Sequence, residues 1–381
     1  MDRLSVGFFT EVYRPVINGV VASVDALADG LRARGHHVYC FAPRVPGYDE
    51  ADGPVFRMPS LPLPTRMPYR LTLPLVSRRN RNAIIKRLSI VHVHSPFITG
   101  WMGLRYSRRF GMPLVYTYHT QLEAYAHYVP FEPNATRFAT ARLTRSFANC
   151  SDAVVVPTNA MATRLRELGV TVRLEVVPSG IDVEFFGSGR RDAALRRRLG
   201  VRDGERLLLY VGRLAKEKNV ELLVASLARA ADPSLHLVLA GEGPDRHGIE
   251  QLGQNLGLQP RLHFLGAVPR AKLPALYASA DAFVMPSTSE TQGLVLAEAM
   301  AAGAYIVAAD AATNREVLGR AASVAPPTPG EFAAAFKDVP LSPIPHVAKT
   351  ARHVAAAFSL VRQTDRMLDL YRSLVRARRI A

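Results

Sequence analysis

One pattern recurs along this chain: a short run rich in β-branched and aromatic residues, then turn residues, then a stretch with helical spacing. Strands separated by helices have room for crossover connections and pair in parallel, so the pattern fixes an α/β class. The first series of strand candidates is "LSVGFF" (4–9), "HHVYCFA" (36–42), "LSIVHVH" (88–94), "PLVYTYH" (113–119), "DAVVVP" (152–157) and "RLEVVP" (173–178). A polar, arginine-rich break follows, "GSGRRDAALRRRLGVRDGE". A second series then opens at "RLLLYVG" (206–212) and runs through "LHLVLAG" (235–241), "RLHFLG" (261–266), "DAFVMP" (281–286) and "AYIVAA" (304–309).

Single cores stop growing near ~250–300 residues, so 381 residues read as two domains. The expectation is a Rossmann-like domain over 1–181, a linker over 182–205, a second Rossmann-like domain over 206–357 and a basic helix over 358–381. Two such halves would face each other across a cleft, each offering the carboxyl ends of its strands, where open α/β sheets bind ligands. In the last helix Leu360, Met367, Leu370 and Leu374 fall at helical spacing, and its late position would let it cross back onto the first domain.

The formal charge of +16 calls for an anionic partner: nucleic acid, an acidic membrane face or phosphorylated substrates. Cys40 and Cys150 are the only cysteines, which gives no disulfide framework or cysteine metal site and suits a reducing cytosol. The first residues, "MDRLSVGFFTEVYRP", read as a first strand and not as a secretory leader. The most apolar long window, "GLVLAEAMAAGAYIVAADAA", reaches spanning length only by including Glu298 and Asp310, and Gly303 divides it, so a transmembrane reading is rejected.

Polar residues gather where strands end. In "YVGRLAKEKNVELLVASL" Arg213 and Lys218 lie between a strand and a helix beginning near Asn219, where amide groups and the helix dipole already favour an anion; a solvated basic loop is the plainer alternative. "GEGPDR" places Arg246 where a dinucleotide fingerprint needs its third glycine, which excludes a nicotinamide site. In "STSETQGLVLAEAM" a polar turn holds Glu290, the amides of Gly293, Leu294 and Val295 open a helix, and Glu298 lies a turn deeper. A core helix with one satisfied acid would account for Glu298 but not for Glu290 and the glycine.

Together "GRLAKEKN", the paired glutamates of "ETQGLVLAE", "VVPSGID" and "GEGP" resemble the retaining glycosyltransferases of family 4, which have the GT-B fold, in order and spacing over nearly the whole chain. The resemblance implies that Arg213 and Lys218 bind a nucleotide diphosphate, Glu290 contacts the donor sugar and Glu298 holds the ribose hydroxyls. It implies front-face displacement with no covalent nucleophile, no cofactor and no essential metal. It also implies a site role for His119, beside the donor sugar, and for Gly19, whose "NG" stands where relatives carry Gly-Gly; a structural hydrogen-bonder is the plainer reading of His119.

The run from His119 through Tyr125 and His127, with Gln292 in "ETQG", looks most like bacterial diacylglycerol glucosyltransferases. A lipid acceptor has separate support in "VSRRNRNAIIKRL" (76–88), where Arg78, Arg79, Arg81, Lys86 and Arg87 surround Ile84, Ile85 and Leu88, a composition that suits an anionic leaflet. A solvated helix with one core-facing edge is the alternative. The expected protein is a cytoplasmic enzyme, peripheral on the inner face of the plasma membrane, moving glucose from UDP-glucose to diacylglycerol. Its rivals are a GDP-mannose-dependent mannosyltransferase and, in another class, a nucleic-acid binder, for which no interleaved aromatic and basic face is visible.

Overall fold

The computed structural model describes residues 3–48, 54–63, 69–73, 84–128, 131–341 and 344–380. They form two compact units, one of residues 1–180 with 360–381 and the other of residues 181–359.

The first unit is built on a sheet in the order β3-β2-β1-β6-β7-β8-β9, with β1 Ser5–Phe9, β2 His37–Pro43, β3 Val55–Met58, β6 Ile90–Val93, β7 Leu114–Thr117, β8 Ala153–Val156 and β9 Leu174–Val176. Every pairing in it is parallel. β6, β7 and β8 are buried along their whole length, as strands covered on both faces must be, and read as continuous apolar runs. β4 Ser60–Pro62 and β5 Arg70–Thr72 form a small antiparallel pair apart from this sheet. Helix α1, Gly19–Ala33, is capped by Asn18, whose Oδ1 accepts the Val21 amide at 2.9 Å, and it buries Val21, Val24, Leu27, Ala28 and Leu31 at helical spacing.

The helix Leu360–Ile380 belongs to this first unit. It buries Met367, Leu368, Leu370 and Tyr371 in the same core cluster as α1. The two helices approach closely at Gly30, where an added Cβ would collide with the Thr364 hydroxyl. Gln363 Oε1 accepts the Gly180 amide at 2.8 Å, which ties the two ends of the unit together.

The second unit has the order β12-β11-β10-β13-β14-β15, all parallel, with β10 Arg206–Val211, β11 Leu235–Ala240, β12 Leu262–Gly266, β13 Ala282–Met285, β14 Tyr305–Ala309 and β15 Ser323–Ala325. In both sheets the chain moves outward from a central strand and returns on that strand's other side. The direction of winding therefore reverses between β1 and β6 in one unit and between β10 and β13 in the other. Ligands of open α/β sheets bind at the carboxyl ends of strands beside such a reversal.

Residues 182–205, expected as a linker, are instead folded onto the second unit. Of two short helices there, Val183–Gly187 buries Phe186 and Ala193–Arg198 packs Leu195 against the same core, which Val201 joins. The arginines there are not all solvated. Arg191 and Arg196 bond the buried Asp281 carboxylate at 2.7 and 2.8 Å, and Asp281 also accepts the Leu207 amide at 2.7 Å. Arginine density reads as surface in sequence, but here Arg191 and Arg196 converge on one buried carboxylate at the amino end of β13 while Arg197, Arg198 and Arg202 stay exposed.

Candidate active site

At the winding reversal of the second unit, β10 runs into a loop shaped by close backbone packing. Gly212 has φ +154, and a Cβ on Gly241 or Gly243 would strike the carbonyl of Gly212 or of Leu214. Leu214 N donates to Glu242 O at 3.0 Å and Asp245 N to Leu214 O at 3.1 Å. The "GEG" glycines therefore let two loops lie backbone against backbone. The first of these loops carries Arg213 and, after a 3-10 turn over Lys216–Lys218 and Asn219 at φ 53, leads into helix Val220–Ala230.

Both expected cations are engaged by carboxylates. Arg213 Nη2 donates to Glu217 Oε1, and Lys218 Nζ to Glu290 Oε1 at 2.7 Å. The second pair links the loop after β10 to the loop after β13, so it spans the reversal itself. Burial alone would raise the Glu290 carboxyl, but the Lys218 ammonium, bonds from Lys218 and Ser287, and the Arg213 charge hold it below its ordinary range. Ser289 Oγ fastens the same loop by donating to Glu217 O at 2.9 Å.

After this loop Gly293, at φ 76, opens helix Leu294–Ala302, and Gly303, also at φ 76, closes it. Among the described residues no side chain caps its start, which leaves the first amides of Leu294 and Val295 as donors at the helix opening. Glu298 is buried on this helix, with Oε2 accepting the Tyr277 hydroxyl at 2.8 Å. Burial pushes Glu298 upward against the opposing pull of Tyr277 and Arg270. Sequence reasoning missed Glu217 and Tyr277. Glu217 sits inside "AKEKN" and could have been suspected from its place between two cations.

In the first unit His119 follows β7, and its Nε2 lies 2.9 Å from His94 Nδ1 beyond the end of β6. Behind them the buried His92 contacts Tyr371 Oη through Nδ1 and Thr117 Oγ1 through Nε2, both at 2.6 Å. His94 Nε2 is buried and, among the described residues, lacks a hydrogen-bond partner. A buried lone pair is tolerated more readily than an unpaired N–H, which puts the His94 proton on Nδ1 and makes His119 Nε2 the acceptor. Burial holds His119 down to about 4 and keeps His92 and His94 well below their usual range, so all three rings are neutral near pH 7. His119 then carries its own proton on Nδ1. The signal for His94 was the alternation in "VHVH", which places successive histidines at the strand's carboxyl end.

Gly19 is the first residue of α1 and is exposed. Tyr125 and His127 lie on a 3-10 helix over Leu122–Tyr128, with the His127 ring 4.1 Å from that of Tyr128. Of the five membrane cations, Arg78, Arg79 and Arg81 lie outside the described residues, while Lys86 and Arg87 are exposed. The neighbouring Ile85 and Leu88 are buried in the first unit's core, so they do not face a leaflet as the sequence suggested. That end of the segment follows the alternative of a solvated stretch with one core-facing edge. Among the described residues no helix is long and apolar enough to cross a membrane.

Two parallel Rossmann-like units define the GT-B class of fold. The chain superposes on sucrose-phosphate synthase from Thermosynechococcus elongatus with a TM-score of 0.80 at 23% identity, covering 98% of this chain and 100% of that one. An Anabaena protein solved in complex with UDP and glucose gives 0.76 at 20% identity, covering 97% and 100%. Residues 17–185 match the model for Glycosyltransferase Family 4 and residues 192–353 that for Glycosyl transferases group 1. An alpha-monoglucosyldiacylglycerol synthase of Acholeplasma laidlawii is 33% identical over 80% of this chain and 80% of its own. Another, from Streptococcus pneumoniae, is 31% identical over 80% and 71%. A GDP-mannose-dependent alpha-mannosyltransferase of Mycolicibacterium smegmatis is 33% identical over 83% and 82%. The chain belongs to glycosyltransferase family 4, and it is a hexosyltransferase.

Proposed function

We propose that this enzyme transfers glucose from UDP-glucose to diacylglycerol at an anionic, cytosolic membrane face, with retention of configuration. The observation that carries the reading is the Lys218–Glu290 pair across the winding reversal of the second unit, with the glycine-opened helix start beside Glu290 in sequence. It supports a donor site in which Arg213 and Lys218 stabilise the departing diphosphate, aided by the amides of Gly293, Leu294 and Val295. Glu290 would hold the sugar. Glu298, steadied by Tyr277 on one oxygen, would take the ribose hydroxyls with the other.

In the first unit His119 would donate through Nδ1 to the transferred sugar, and Gly19 would admit the donor close to the start of α1. Tyr125 and His127 would serve the acceptor, and Arg78, Arg79, Arg81, Lys86 and Arg87 the leaflet. With cationic side chains and amides answering the diphosphate, the reaction needs no divalent ion. Diacylglycerol is preferred because the synthases of Acholeplasma and Streptococcus, which share 33% and 31% identity with this chain, are named for making an alpha-monoglucosyldiacylglycerol. The mannosyltransferase relatives supply the competing donor.

Binding of radiolabelled UDP-glucose and GDP-mannose to the purified protein separates the two. UDP-glucose should bind at least about tenfold more tightly, and in Glu298→Gln that binding should weaken through loss of a charge-assisted bond. Tighter binding of GDP-mannose would overturn the donor assignment.

A further inference from the structure

The helix Pro133–Ala148, here α2, projects its amino half away from the core of the first unit. Its start is well built: Pro133 occupies the first turn, and Glu132 caps it, accepting the Asn134 amide at 3.0 Å and the Ala135 amide at 2.6 Å. Yet residues 131–135 and 137–139 are all exposed, and full burial begins only at Thr144, Phe147 and Ala148. Phe131 is 72% exposed and Phe138 70%. Asn134, Phe138 and Arg142 follow one another at four-residue spacing and so share a stripe. A core helix would bury this ring.

Charge selects the occupant. From Phe131 to Ala148 the cations are Arg137, Arg142 and Arg145, and the single acid, Glu132, is spent on the cap. We propose that the amino half of α2 is a membrane-docking face on which Phe131 and Phe138 enter the acyl boundary of an anionic leaflet while Arg137 and Arg142 meet its phosphates. Exposed aromatics flanked by arginines are the composition of an interfacial helix. The face continues into the acceptor region, since α2 packs against the turn Leu122–Tyr128 that holds Tyr125 and His127. The choice of a leaflet over a second copy of the chain rests on the lipid-acceptor reading. At the buried end of α2 the half-exposed Trp101 sets its ring edge-on against Phe147, 5.4 Å away.

Trp101 is the one tryptophan, so a Trp101→Phe background carrying Phe138→Trp reports on this face alone. Phosphatidylglycerol vesicles should shift its emission to the blue, and brominated acyl chains should quench it; phosphatidylcholine vesicles should do neither. In the otherwise native chain, Phe131→Ser with Phe138→Ser should lower partition onto phosphatidylglycerol at least about tenfold. Melting temperature and UDP affinity should hold, because neither ring is buried in the fold.

Sedimentation with vesicles without an emission shift would overturn the proposal. So would a blue shift that appears without lipid as concentration and measured mass rise together, which would assign the face to self-association. Insertion without glucosyl transfer to diacylglycerol would sink the acceptor reading and leave the face standing. Transfer to detergent-dispersed diacylglycerol without insertion would do the reverse.

Discussion

At the residue scale the donor site turns on carboxylate and cation pairs that hold each other in place. Lys218 lowers Glu290, and Glu290 fixes the Lys218 ammonium, so removing either disables both. Lys218→Ala and Glu290→Gln should each lower transfer by about a hundredfold or more. The double variant should fall little below the weaker single, because groups acting as a unit are non-additive. Steady-state kinetics of the four proteins decides it, and a double-variant loss equal to the product of the single losses would show that the two act independently. The sequence exposed these residues because both stand just beyond strand ends in a recognisable spacing. It did not expose Tyr277 or Glu217, whose parts depend on which loops meet, nor the bond that makes His94 the neighbour of His119 across 25 positions.

At the element scale the helix Leu360–Ile380 is part of the first unit's core and reaches the histidine row through Tyr371. Tyr371→Phe leaves the buried His92 Nδ1 without its hydroxyl and should cost about 1–3 kcal/mol, read as a lower melting temperature with UDP affinity retained. The same melts should depend on pH. His92, His94 and His119 resist protonation in the native state, whereas unfolded histidine titrates near ~6.5. Their stabilising contribution is complete above that value and declines as pH falls toward 4, because the unfolded chain gains protons that the native chain refuses. A melting temperature unchanged between pH 7 and pH 5 would contradict neutral rings. Long apolar strands such as β11 were legible from sequence. β3, β4, β5 and β15 were not: each has three or four residues, and unlike the equally short β9, which lies within the β-rich run "RLEVVP", they lack a flanking apolar run to mark them. The docking face of α2 escaped notice because a capped helix start looks the same in sequence whether it is buried or projects.

At the scale of the whole molecule, two parallel sheets with matching winding reversals place Lys218, Glu290, His94 and His119 beyond the carboxyl ends of strands, and a basic chain carries the exposed Phe131 and Phe138 at the start of one helix of the first unit. The class of fold was legible because alternation of strand and helix survives any detail of packing. The arginine-rich segment 182–205 was misjudged because sequence does not reveal that Asp281 waits beneath it. The central claim is a reaction, and the most direct test is to supply diacylglycerol in phosphatidylglycerol vesicles with UDP-glucose or GDP-mannose and determine the anomeric configuration of the lipid product by proton NMR. α-Glucosyldiacylglycerol formed from UDP-glucose, with little product from GDP-mannose, is the predicted result. A mannosylated product, a β-linked glucoside, or turnover confined to a water-soluble acceptor would contradict it.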